Sequence, residues 1–205
     1  DTNYVTDFEV NSNPTVFSAT KAIAVGGHSE YWTLAMRDSI ESAVAAGVNL
    51  LAFGGNTAYA ITEIADREIS GRKPYREVNR PESLLLGSQY FALAIKKDLV
   101  SNNVWPFKSL GKDAVIKGLY GYEADTALGT IGPGVQVVAR SAISPTEKGY
   151  VAMSTYYNAP SGASVLNMGT NAWVCAIKNR CPWGHAFDLI AQKQITTVTT
   201  EVLKA

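Results

Sequence analysis

Hydrophobic and polar positions recur along this chain with two different periods, and the switches between them predict its elements. TKAIAVGG (20–27) is a short apolar run ending in two glycines, the pattern of a buried strand. In TLAMRDSIESAVAAG (33–47), Met36, Ile40, Ala43 and Val44 fall on one helical face. Arg37, Asp38, Glu41 and Ser42 fall on others, and Gly47 is the stop. VNLLAFGGN (48–56) repeats the strand signature. Strand, helix and strand within about 35 residues predict a βαβ unit with parallel strands and a right-handed connection. A hydrophobic helix pair is disfavoured, because the apolar runs are too short.

Beyond about Ala65 the pattern is less decisive. AITEIADREI (60–69) has helical spacing at Ile61, Ile64, Ala65 and Ile69, and fits a strand pair equally. SGRKPYREVNRP (70–81) reads as a polar turn region. From about Trp105, WPFKSLGKDAVIKGLYGYEADTALGTIGPG is rich in glycine and turns. GVQVVARSAI, GYVAMSTYYN and ASVLNMGTNAWVCAI then come as β-branched or alternating runs, separated by the turns SPTEKG and APSG. The closing ITTVTTEVLKA fits a strand or a helix. No repeat or low-complexity linker divides the chain. The pattern therefore predicts one α/β domain over 1–205, with a β-rich part at about 105–180 that extends or flanks the sheet.

Composition narrows the class. With 205 residues, 46% of them hydrophobic, the chain can build a core unaided. Eighteen basic and eighteen acidic residues cancel, which argues against a nucleic-acid or membrane-surface partner. No apolar run approaches the ~18 residues of a membrane span. The chain begins at Asp1 with neither methionine nor signal peptide and reads as a fragment of a longer precursor. Low charge with many Asn, Thr and Ser residues favours an exported protein over a cytoplasmic one. Cys175 and Cys181 have a spacing that matches no common zinc pattern. A local disulfide and two free thiols both stay open.

The chemistry concentrates at the ends of the two predicted parallel strands. One ends Gly26–Gly27–His28–Ser29–Glu30 and the other Gly54–Gly55–Asn56–Thr57. In open α/β sheets, ligands bind beyond the carboxyl ends of the strands. His28, Glu30 and Asn56 are therefore expected to converge, with the glycines leaving room for a ligand or a turn. Glu123, in LYGYEADT, is a further candidate, and the aspartate two positions on, Asp125, is expected to line a pocket with it. Each also has a purely structural reading: Glu30 facing a helix dipole, His28 bonded within a turn, Asn56 as a cap, Glu123 as a solvated loop acid. There is no GxSxG, and neither strand end carries a cysteine, so any chemistry is expected to be metal- or carboxylate-assisted.

GHSEYWTLAMRDSIESAVAAGVNLLAFGGNTAYA (27–60) resembles the C-terminal domain of the N,N-dimethylformamidase large (beta) subunit family, with its G-H-x-E-Y-W and G-G/S-N-x-x-Y-W blocks. NRPESLLLGSQY, GLYGYEADT and APSGASVLNMGTNAWVCAI resemble later segments of that family, in the same order. The resemblance implies a glutamine-amidotransferase-like, flavodoxin-like layered sheet with helices on both faces. It implies hydrolysis of a small amide at a mononuclear ferric iron (Fe3+) held by two tyrosinates and a glutamate. Glu30 matches that glutamate, His28 and Asn56 match residues lining the same site, and Glu123 matches a proposed general base. Both family tyrosines lie upstream of the first block, and Tyr59–Ala60 stands where the family has Tyr-Trp. The remaining ligands are thus expected from outside this chain, through a homo-oligomer or another chain, or else the metal has been lost. The rival class is a non-catalytic structural or binding module of an extracellular or multimeric assembly, which four Trp and ten Tyr would suit.

Overall fold

In the computed structural model of the chain, the described residues are 1–65, 68–127, 134–141 and 151–205, without the side chains of 94 and 95. The chain opens with a short helix, α1 (Asp7–Ser12), closed by a capping box between Thr6 and Glu9. The expected βαβ unit comes next as β1 (Ala22–Val25), a two-residue β2 (Tyr31–Trp32), α2 (Leu34–Ala45) and β3 (Asn49–Ala52). β1 and β3 are parallel neighbours in register Ala22↔Asn49 to Val25↔Ala52. The helix starts at Thr33, whose side chain accepts from the Met36 amide at 3.0 Å. It stops at Gly47, where φ is +97°, a conformation that favours glycine.

Met36, Ile40, Ala43 and Val44 form the buried stripe of α2, but Arg37 is buried too, against the amphipathic pattern. Its guanidinium donates to the carbonyls of Arg80 (2.6 Å) and Pro81 (3.0 Å) and to Glu41 (2.7 Å), and lies over the Tyr75 ring. A fully bonded arginine can occupy the interior where a lone charge could not.

The ambiguous region resolves into strands, β4 (Ala60–Ala65) and β5 (Glu68–Pro74), which form a three-stranded sheet with β2. SGRKP thus belongs to a strand, and only Tyr75–Val78 is a tight 3-10 turn. A short α3 (Ser83–Leu86) leads into the long hairpin of β6 (Gln89–Ser101) and β7 (Val115–Thr126). Then come β8 (Gln136–Ser141), β9 (Met153–Asn158), β10 (Ser164–Asn167), α4 (Ala172–Ile177) and the closing α5 (Leu189–Lys204). The glycine-rich segment after Trp105 therefore contains a twelve-residue strand. AWVCAI is a helix rather than strand continuation, and the C-terminal alternative is settled as helix. The SPTEKG turn lies outside the described residues.

The large sheet has seven strands in the order β1-β3-β10-β9-β8-β6-β7. β1, β3 and β10 are parallel, and the remainder are antiparallel. Alternation along β3 and β10 sends Leu50 and Val165 to one face and Leu51 and Leu166 to the other. On the first face they pack with Met36, Ile40 and Val44 of α2; on the second with Trp173 of α4 and Ile195 and Val198 of α5. Helices thus cover both faces of a mixed sheet, as expected. No described helix is long and apolar enough to cross a membrane.

One departure from regular pairing sets up the site. The β6–β7 hairpin carries three register shifts, and such bulges bend a strand pair. β7 sits at the sheet edge, yet it meets the segment after β10 through an Ala124↔Thr170 bridge and an Asp125 amide bond to the Gly169 carbonyl at 3.0 Å. These contacts place Glu123 beside the ends of the parallel strands.

Candidate functional site

His28 and Glu30 lie in the segment leaving β1, Asn56 lies just beyond β3, and Glu123 is on β7. His28 Nε2 lies 2.8 Å from Glu123 Oε2 and 3.2 Å from Glu30 Oε2, so one imidazole nitrogen is shared between two carboxylates. Asn56 donates Nδ2 to Glu123 Oε1 at 3.1 Å. All four candidates are thus in one contiguous cluster. The carboxylates are buried, whereas the His28 side chain is 45% exposed and is the cluster's opening to solvent. Glu123 is no solvated loop acid: it is a strand residue, 7% exposed.

Glycine places these groups by removing obstruction between chain segments. A Cβ on Gly54 would lie 1.9 Å from the Gly27 carbonyl oxygen, and one on Gly55 would lie 2.9 Å from the Glu123 carbonyl oxygen. The space expected for a ligand at these two positions is filled by neighbouring backbone. Asn56 does not cap the next element; it adopts a left-handed φ of +55°, which asparagine tolerates better than most residues.

The pattern reading missed two partners, Asn171 and Arg72, and placed Asp125 only as the acid paired with Glu123. Asn171, just ahead of α4, donates Nδ2 to Glu123 Oε2 at 2.6 Å and accepts the Gly55 amide at 2.9 Å. Asp125 accepts the Asn56 amide at 2.8 Å and the Asn167 side chain at 2.8 Å. Arg72 of β5 donates to Glu30 Oε1 and lies over the Tyr31 ring. Asp125 was legible from its spacing, two positions along the strand from Glu123 and so on the same face. Asn171 and Arg72 come from distant segments that only folding brings near.

These contacts set the electrostatics. The Glu123 hydrogen bond, opposed by burial and helped by the charges of Glu123 and Glu30, raises the His28 imidazole above its ordinary value. Burial works against ionisation of Glu123, but the His28, Asn171 and Asn56 donors outweigh it and hold the carboxyl below the usual range. Asp125 is fully buried, and burial pushes it up to about 6 despite its two donors. Burial, with Glu30 beside Tyr31 and Glu123 beside Tyr90, raises both phenols above their ordinary value.

His28, Glu30 and Glu123 each offer a ligand atom, all within 4.8 Å of one another. One imidazole nitrogen and two carboxylate oxygens form a hard donor set that suits iron, manganese or zinc. Asn56 Oδ1, with Thr57 Oγ1, is buried without a hydrogen-bond partner among the described residues. An acceptor beside two acids is where a bound group would supply a donor or a cation. The residues present therefore fit a cation, short of the full ligand set.

The cysteine question is settled too: Cys175 and Cys181 are joined in a disulfide closing the end of α4. A comparison with curated proteins returns no match. At the level of families, residues 1–183 match the C-terminal region of N,N-dimethylformamidase beta subunit-like proteins. The match spans the βαβ unit, the β6–β7 hairpin and every residue of the cluster, and the chain belongs to this N,N-dimethylformamidase beta subunit-like C-terminal family.

Proposed function

We propose that this chain carries part of the active site of a hydrolase for small amides and works in association with the segment or subunit that completes it. The observation that carries the reading is the sharing of His28 Nε2 between two buried carboxylates, at 2.8 and 3.2 Å, with Asn56 on one of them. Two carboxylates buried around one imidazole carry a desolvation cost, and groups arranged this way concentrate at functional sites. Membership in the family supports amide chemistry and a multi-subunit setting. The two helical layers around a partly parallel sheet support the glutamine-amidotransferase-like arrangement that the resemblance implies. The Cys175–Cys181 disulfide supports an exported setting.

In this reading Glu30 is the metal ligand, and His28 stands beside it outside the ligand set. A bound ferric ion would polarise an amide carbonyl and acidify a water. His28 moves the proton, because a group held at moderate basicity between two acids can deliver one to a departing nitrogen. Glu123 accepts from three donors and is a weaker base than a free carboxylate, so it orients His28 and stabilises its charged form. That differs from the water-activating role expected from the sequence. Asn56 commits Nδ2 to Glu123, which leaves Oδ1 to accept from an amide or amine N–H.

The test is dimethylamine release from N,N-dimethylformamide, with iron and zinc content measured on the same preparation of the protein in its native assembly. Stoichiometric metal and turnover, both lost in Glu30→Ala and turnover alone lost in His28→Ala, are expected. A metal-free protein without turnover, in which Glu30→Ala leaves folding and assembly unchanged, would instead support the binding-module reading.

A further inference from the structure

We propose that Arg72 is the resident counter-ion of Glu30, and that a metal cation entering the cluster must displace its guanidinium. The inference rests on the metal-ligand reading of Glu30 given above. A carboxylate that is only 3% exposed cannot stand uncompensated. Arg72 Nη2 meets Glu30 Oε1, while His28 Nε2 meets Oε2 at 3.2 Å, so both oxygens are engaged. Glu30 is also the acid of the donor group that could hold an ion. A cation and Arg72 therefore seek the same charge.

The two ends of this ion pair differ in a way that makes exchange feasible. Glu30 is fixed by its place just ahead of β2, with its carbonyl accepting the Ala60 amide at 3.0 Å. The Arg72 side chain is 59% exposed. It extends from β5, where every residue from Glu68 to Lys73 is exposed, so the guanidinium can leave without opening the core. The face of Tyr31, 5.4 Å from the guanidinium carbon, offers a second attraction outside the carboxylate. By contrast, Arg76 is the wrong arginine for this role. It is locked on Glu82 by two hydrogen bonds, at 3.0 and 2.6 Å, and on the Tyr90 carbonyl at 2.6 Å.

Competition makes the sign of the effect opposite to that of a supporting residue. Removing Arg72 should tighten cation binding and loosen the metal-free protein; a residue that merely braces the site would weaken both. The experiment is calorimetric titration of Co2+ into metal-free wild type, Arg72→Gln and Arg72→Lys, in the native assembly, with melting temperatures recorded without metal. Arg72→Gln should bind about tenfold tighter, the factor carried by an ion pair of about 1.4 kcal/mol. It should also melt lower than wild type, with Arg72→Lys between the two on both measures. Equal or weaker binding by Arg72→Gln overturns the inference and leaves Glu30 standing as a ligand. Failure of wild type and Arg72→Gln alike to bind Co2+, or binding unchanged in Glu30→Gln, removes the metal-ligand reading and the inference with it.

Discussion

Asp125 offers a measurement that reads the framework of the cluster without needing a substrate. Its carboxylate is 1% exposed and accepts the Asn56 amide and the Asn167 side chain. Burial places it at about 6 in the folded protein against an ordinary 3.8. The folded value is the higher one, so folding favours the protonated acid. Its contribution to stability is fully present below about pH 4 and is lost as pH rises through about 6. The difference is about 2 pH units, which at 1.36 kcal/mol each gives roughly 3 kcal/mol. Asp125→Asn cannot ionise and leaves the Asn167 donor facing another donor, a cost of about 1–3 kcal/mol at any pH. The penalty of the substitution should therefore be largest near pH 4 and shrink by roughly 3 kcal/mol towards pH 7. Urea unfolding of both proteins across that range measures it. A penalty that does not change with pH, or one that grows as pH rises, would show that Asp125 is not held in the way described.

Three further outcomes rest on single features. Arg37→Ala removes a buried cation from two carbonyls and Glu41 and should cost about 3–5 kcal/mol in denaturant unfolding, with Arg37→Met costing less because it fills the space. Joint replacement of Cys175 and Cys181 by alanine opens a loop with a sequence separation of 6 and should cost about 2 kcal/mol, matched by thermal melts of the wild type under reductant. Gly55→Ala puts a methyl 2.9 Å from the Glu123 carbonyl oxygen and should cost about 1–3 kcal/mol; an unchanged melting temperature would mean the strand end is looser than the packing implies.

How much of the protein is legible in the chain depends on the range of the forces involved. Local periodicity was enough for β1, α2 and β3, because the Met36–Ile40–Val44 stripe and the paired glycines are settled within one element and its immediate neighbour. It failed for Arg37, where a polar residue in the helix pattern is buried by carbonyls 43 and 44 positions away. It was silent on residues 60–69, where the same apolar spacing suits a helix or a hairpin, and it read 70–74 as turn, until β2 supplies an edge to pair with.

The candidate site divides in the same way. His28, Glu30 and Asn56 were visible because the crevice rule needs only two parallel strands and the residues just past their carboxyl ends. Glu123 had a motif behind it but no location, since its arrival depends on the contact of edge strand β7 with the segment after β10. The chain by itself determined which groups stand at the strand ends and that a sheet with helices on both faces would present them. Only the tertiary structure decided what those groups meet: Asn171 and Asp125 behind them, Arg72 in front. Hydrogen bonds and ion pairs act over a few ångströms, and between residues 42 to 116 positions apart that closeness arises only from packing.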